Sequence, residues 1–199
     1  MPSTIRTEEK AALRRRIRAL ERAMTPQARA QSDEALLRRF LALDALARAR
    51  RVLLFYGMGE EPETGRLLPL LTAQGKELCL PRCRSGGVLE LRRYLGESSL
   101  IRHRFGMLEP SEDCPLVDAA WPELALIPAV CYDAQGWRLG RGGGFYDRFL
   151  ARYSGQTVGL CREALLQDQV PREEHDRAVG LVLTERRTLT GVAGRRRTD

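Results

Sequence analysis

Apolar residues fall along the chain in two rhythms. Leu13, Ile17, Leu20 and Met24 recur at helical spacing, and Thr7 followed by Glu8 and Glu9 predicts where that first helix begins. Thr25 and Pro26 read as the N-cap and first residue of a second helix carrying Leu36, Leu37, Phe40 and Leu41. The rhythm then changes to short apolar runs: residues 51–56, ended by Gly57 and Gly59; residues 77–80, stopped by Pro81; residues 88–94; residues 124–127, before Pro128; residues 157–161; and residues 181–184. Runs of this length predict strands. Between the first two, Thr64 can cap a helix bearing Leu67, Leu68, Leu70 and Leu71, with Gly75 as its stop. The stretch from Leu95 to Pro122 is rich in turn residues and reads as a surface-wrapping segment. Strands alternating with helices predict an α/β fold: a single three-layer domain over residues 1–190, with a mostly parallel central sheet flanked by helices. Residues 191–199 read as a disordered basic tail.

Composition narrows the class. A chain of 199 residues with 43% apolar content supports one core. It lacks a run of about 18 apolar residues that would span a membrane, and its start has no apolar signal core. These features predict a cytoplasmic protein with no membrane association, and we expect a monomer. The five cysteines, Cys79, Cys83, Cys114, Cys131 and Cys161, form no CxxC pair and read as free thiols. The formal charge of +7 invites a nucleic-acid partner, but the basic residues are scattered and mixed with acidic ones. Only Lys10 and Lys76 are lysines, and no RNA-binding signature is present. Anionic small molecules fit the same excess of charge, and no nucleic-acid partner is expected.

The segment from Arg138 to Asp147 carries the chemistry. Four of the five residues from Gly140 to Gly144 are glycine. Consecutive glycines weaken a helix or strand, so they serve where backbone must approach a ligand or where amides must converge on an anion. Phe145 onward resumes a helical pattern to about Tyr153, which predicts a phosphate site at a helix N-terminus. Arg138 and Arg141 add positive charge, and Asp147 in the first turn suits a divalent cation. There is no P-loop, and no dinucleotide fingerprint after the first strand.

The run Pro128-Ala-Val-Cys-Tyr-Asp-Ala-Gln-Gly-Trp-Arg-Leu-Gly-Arg-Gly-Gly-Gly-Phe-Tyr-Asp147 resembles the hallmark of the 5-formyltetrahydrofolate cyclo-ligase family, and the likeness extends from the first helix to about Glu185. It implies a binding surface for ATP made by Lys10, Arg14, Arg138, Leu139, Gly140, Arg141, Gly142, Gly143, Gly144, Phe145 and Tyr146. Lys10 and Arg14 stand four apart, on one helix face. The resemblance also implies that the folate lies against Tyr56, Glu61, Arg141, Gly142, Gly143, Gly144 and Phe145. Tyr56 would face the pterin, and Glu61 would accept from its N–H groups. Arg141 and Tyr146 are the implied catalytic pair, and Asp147 and Asp176 the implied ligands of Mg²⁺. Two positions depart from the pattern: Gly180 stands where many relatives have Asp, and Gly143 where some have Lys.

The implied reaction joins 5-formyltetrahydrofolate and ATP to give 5,10-methenyltetrahydrofolate, ADP and phosphate. The formyl oxygen takes the γ-phosphoryl group, N10 attacks the formyl carbon, and phosphate leaves. Two other classes compete with this reading. One is a diverged relative using ATP on another formyl or carboxyl substrate; the other is a basic RNA-binding module.

Overall fold

The structure is a computed structural model and describes residues 4–103 and 106–194. In chain order its helices and strands are α1 (Thr4–Ala23), α2 (Pro26–Leu41), α3 (Asp44–Arg48), β1 (Arg51–Leu53), α4 (Leu67–Ala73), β2 (Glu77–Cys83), β3 (Leu89–Arg93), β4 (Leu100–Arg102), β5 (Leu108–Pro110), β6 (Leu116–Val117), β7 (Leu124–Ile127), β8 (Cys131–Tyr132), β9 (Arg138–Leu139), α5 (Phe145–Leu150), β10 (Gln156–Leu160), β11 (Leu181–Leu183) and β12 (Thr188–Thr190). Residues 195–199 of the expected tail lie outside the described residues; 192–194 form a 3₁₀ turn, and Gly191 and Val192 donate backbone bonds to Gly180 and Gln135.

Eight strands make one sheet in the order β12-β11-β10-β7-β1-β2-β3-β6. The five central strands, β11 to β2 in that order, run parallel; β12 and β3 run against them at the two sides, and β6 pairs antiparallel with β3 at the edge. Residues alternate between the faces. Val52, Leu78, Leu80, Leu124 and Leu126 pack with Leu36, Phe40, Leu67 and Leu71 from α2 and α4. Leu53, Cys79, Ala125 and Ile127 pack with Leu13, Ile17 and Phe149 from α1 and α5. Both faces are therefore covered, which is why the strands read as unbroken apolar runs. No described helix is long and apolar enough to cross a membrane.

Local chemistry explains the elements and some departures from expectation. Thr25 Oγ1 accepts from Ala28 N–H at 3.1 Å, with Pro26 beginning α2. The first helix starts before Thr7, at Thr4, and its buried positions are Lys10, Leu13 and Ile17, whereas Leu20 is exposed. Pro81 does not stop β2. It pairs with Leu91, while the backbone bonds from Tyr94 to Leu78 and from Arg84 to Val88 fix the alternate pairs as the hydrogen-bonded ones. The side of Pro81 that lacks an N–H therefore faces β1, whose pairing with β2 has already ended at Cys79. Thr64 does not cap a helix. Buried at the strand end, it accepts from Gly57 N–H at 2.9 Å and donates to the Phe55 carbonyl, folding the 57–63 loop back on itself. The stretch from Leu95 to Pro122 does more than wrap the surface: it contains the β4–β5 hairpin and the edge strand β6. The helix expected to reach Tyr153 ends at Leu150.

Candidate active site

The carboxyl ends of β1, β2 and β7 open into one cavity of about 620 Å³. This is where α/β sheets form their sites. Phe55, Tyr56, Met58 and Glu61 enter from the end of β1, Pro81 and Cys83 from β2, and Pro128 and Ala129 from the end of β7. The glycine loop supplies residues 140–147, α1 supplies Thr7, Lys10 and Arg14, and the chain before β11 supplies Glu173, His175 and Asp176. The β4–β5 hairpin adds Met107, Leu108 and Glu109.

The loop between β9 and α5 depends on glycine at particular positions. Gly142 and Gly144 have φ of 105° and 64°, a region that side chains with a Cβ avoid. A Cβ on Gly143 would lie 2.8 Å from the Phe145 ring, and one on Gly144 would lie 2.9 Å from Arg148 Nη1. Among the described residues, no amide from 140 to 144 donates to another protein group. The loop is held instead through its carbonyls: Arg14 Nε donates to Gly140 O at 2.8 Å, and Arg148 Nη2 donates to Gly143 O at 2.6 Å. Clamping carbonyls while leaving amides open makes a surface for an anion. Because α5 has only six residues, the loop amides and side-chain cations outweigh any helix dipole here.

Charged side chains stand in pairs around this loop. Lys10 Nζ donates to Asp176 Oδ2 at 2.6 Å and to Glu173 Oε2 at 2.7 Å. Burial pulls its pKa down, but the two carboxylates outweigh burial and hold it above the ordinary lysine value. Arg138 Nη2 meets Asp147 Oδ1 at 2.7 Å, and Arg141 Nη2 lies 2.9 Å from Glu61 Oε1. Burial raises the Tyr146 phenol far above its ordinary pKa, so it stays neutral and acts only as a hydrogen-bonding group.

The 5-formyltetrahydrofolate cyclo-ligase family model matches residues 6–185. The chain belongs to this family. A 5-formyltetrahydrofolate cyclo-ligase of Escherichia coli strain K12 is 31% identical over 174 residues, covering 84% of this chain and 96% of the relative. One from Mycolicibacterium smegmatis is 31% identical over 179 residues, covering 86% and 91%. The solved structure of Aquifex aeolicus 5,10-methenyltetrahydrofolate synthetase superposes with a TM-score of 0.82 at 27% identity, covering 94% of both chains.

Most of the residues that family resemblance suggested meet in this cavity. Lys10, Arg14, Tyr56, Glu61, Arg138, Gly140 to Gly144, Phe145, Tyr146, Asp147 and Asp176 all line it. Leu139 does not: its side chain is buried in the core cluster that includes Ile17 and Phe149, and its carbonyl accepts from Val130 N–H at 2.7 Å, so it serves the scaffold. Arg138 lines the cavity with its side chain almost wholly enclosed and already paired to Asp147. Gly180, the departure from the cyclo-ligase pattern, is not among the lining residues; its N–H donates to Thr157 Oγ1 at 2.7 Å.

Other residues of the cyclo-ligase motif serve the scaffold. Asp133 is buried and accepts from Gln135 N–H at 2.9 Å, Trp137 N–H at 3.0 Å and Val170 N–H at 3.0 Å. It thereby shapes the turn that delivers Arg138 and ties that turn to the segment leading to Asp176. Sequence reasoning missed Glu173, Cys83 and Glu109. Glu173 carried a signal, standing three residues before Asp176; nothing local marked the other two.

Proposed function

We propose that this chain closes the ring of 5-formyltetrahydrofolate to 5,10-methenyltetrahydrofolate, with ATP converted to ADP and phosphate. The observation that carries this reading is a single cavity in which an amide-rich loop and the cations of α1 adjoin an aromatic, apolar pocket. The first half suits a triphosphate and the second a pterin. An amide oxygen is a poor leaving group, so the formyl oxygen must first be phosphorylated. That step requires alignment and charge neutralisation more than side-chain acid–base chemistry. Lys10, Arg14 and Arg141 supply positive charge, and the amides from Gly140 to Gly144 supply donors. Tyr56 and Phe145 bound the ring of the folate. Arg141 and Tyr146 lie nearest the transferring group in this reading: a fixed cation and a neutral donor.

The residues present also suit Mg²⁺. Asp147 Oδ1 is taken by Arg138 and by Arg177 N–H, and Asp176 Oδ2 by Lys10 and Glu173 N–H. Asp147 Oδ2 accepts no hydrogen bond among the described residues, and Asp176 Oδ1 has His175 Nε2 at 3.7 Å. No cluster of three or more metal-binding side chains occurs among the described residues. In this reading Asp147 and Asp176 would hold the ion, with phosphate oxygens and water completing its shell. When bound, Mg²⁺ would neutralise charge on the phosphates.

The proposal includes a cytoplasmic enzyme acting as a monomer. Its free cysteines fit a reducing compartment. Incubation with 5-formyltetrahydrofolate, Mg²⁺ and ATP tests the reading. The methenyl absorbance should rise in a one-to-one ratio with ADP. ADP release without methenyl formation would overturn it.

A further inference from the structure

Gly87 and Arg148 stand 61 residues apart in the chain yet meet in one space. Arg148 on α5 donates from Nε to Gly87 O at 2.8 Å, in the turn between β2 and β3, and from Nη2 to Gly143 O at 2.6 Å, in the glycine loop. Its guanidinium carbon lies 5.7 Å from the centre of the Phe145 ring. A Cβ on Gly87 would fall 1.7 Å from Arg148 Nη2, so the guanidinium fills the place that a side chain at 87 would take. Gly86 has the same φ of 72°, but a Cβ there would meet open space. Backbone conformation accounts for the glycine at 86, whereas glycine at 87 also clears a seat for the arginine.

An exposed arginine left to itself spreads over many rotamers, and holding it in one costs entropy. Two carbonyls from separate segments hold this one. The consequence reaches the glycine loop. In a trans peptide the carbonyl and the following N–H point to opposite sides. Holding Gly143 O toward Arg148 therefore turns Gly144 N–H away from it, where it meets no protein acceptor among the described residues. We propose that Arg148 is a positioning residue for the nucleotide and that the β2–β3 turn is its seat. The turn fixes the guanidinium, the guanidinium fixes the Gly143–Gly144 peptide, and that peptide presents its N–H to a phosphate oxygen. The inference rests on reading the loop as a triphosphate cradle. It extends that reading to residues 85–87, which do not line the cavity.

Affinity for the non-hydrolysable imidodiphosphate analogue of ATP with Mg²⁺, measured by calorimetry, tests this through two neighbouring substitutions. Gly86→Ala and Gly87→Ala force alanine into the same φ, and the flexible end of Arg148 can swing clear of the new methyl. Their urea midpoints should therefore fall by similar amounts. Gly86→Ala should bind the analogue within about twofold of the unsubstituted protein, as surface changes do. Gly87→Ala should bind it about tenfold more weakly, the scale of one hydrogen bond to a charged group. Arg148→Met leaves the backbone of the turn untouched and should weaken binding by a similar factor. Adding Gly87→Ala to Arg148→Met should change affinity no further, because the turn acts through the arginine. A Gly87→Ala protein that binds like Gly86→Ala overturns the proposal, as does an Arg148→Met protein that binds like the unsubstituted one. So does a Gly87→Ala loss that repeats in full beside Arg148→Met, since the turn would then act by another route. An unsubstituted protein that does not bind the analogue sinks the triphosphate cradle itself, a result distinct from failure of the clamp.

Discussion

Lys10 Nζ lies 2.6 Å from Asp176 Oδ2, joining the first helix to the segment that precedes β11. Glu173 completes the group at 2.7 Å. The sequence keeps a lysine here although nearly all its other cations are arginine. A compact ammonium can serve two carboxylates and still turn toward a phosphate, whereas a planar guanidinium would impose its own fork. Lys10→Met should therefore raise the KM for ATP at least tenfold, and Lys10→Arg should restore little of it.

The same contact gives a pH signature. Because the folded pKa of Lys10 is raised, the stabilisation is whole below the ordinary lysine value of about 10.4 and is lost as pH climbs through the raised value. The free-energy gap between the native protein and Lys10→Met, from urea unfolding, should be about 2 kcal/mol. It should hold level from about pH 7 to pH 9 and shrink only above about pH 10.4. A gap that closes near neutral pH would show that another group controls it.

Asp147 has two tasks in the proposed mechanism: it holds the enclosed guanidinium of Arg138, and it offers its second oxygen to Mg²⁺. Asp147→Asn keeps the shape but removes the charge. Turnover should fall about a hundredfold, within the range for losing electrostatic stabilisation of a transferring group, and half-saturating Mg²⁺ should rise at least tenfold. A purely structural role would lower the unfolding midpoint and leave the Mg²⁺ dependence where it was. Unchanged turnover of the variant at low Mg²⁺ would contradict the metal role outright.

Gly144→Ala and Gly75→Ala form a matched pair. Both glycines have positive φ, 64° and 77°, so each substitution should cost about 1 kcal/mol of stability from backbone strain alone. Open space surrounds a Cβ at Gly75, whereas one at Gly144 would press on Arg148, which clamps the loop through Gly143 O. Activity should therefore separate them: kcat/KM falls about a hundredfold for Gly144→Ala, the scale on which a small misplacement near the chemistry acts, and stays within twofold for Gly75→Ala. Equal losses would mean that the loop is not the phosphate cradle.

Much of this site was legible along the chain because it is local. The strand, turn, glycine run and short helix between residues 124 and 150 fall in sequence order, and the cations at Arg138 and Arg141 travel with them. Lys10 and Asp176 lie far apart in sequence, and only family resemblance joined them. Glu109 and Cys83 escaped notice because long-range pairing creates their environment: one lies on a hairpin folded over the sheet and the other on a strand that Pro81 was expected to end. Leu20 was misread for a related reason. Helical spacing shows which residues share a stripe, but the packing of the neighbouring chain decides how far along the stripe burial extends.

Arg162 and Asp33 give the remaining test, since nothing in the sequence distinguished them. Both side chains are 2% exposed, and their charged atoms lie 2.8 Å apart. Arg162 also donates to Arg29 O at 3.4 Å and Glu60 O at 3.3 Å, so it fastens α2 and the turn just past β10 to the loop that carries Glu61. Removing one member of a buried pair strands the other, so Arg162→Met should destabilise by about 3–5 kcal/mol. Adding Asp33→Leu should recover part of that loss, because the stranded carboxylate disappears. The double variant still lacks the bonds to Arg29 O and Glu60 O, leaving the Glu61 loop loose. It should therefore regain stability in urea while its KM for folate remains raised severalfold. Recovery of KM together with stability would show that the pair holds the core only and has no hand in shaping the pocket.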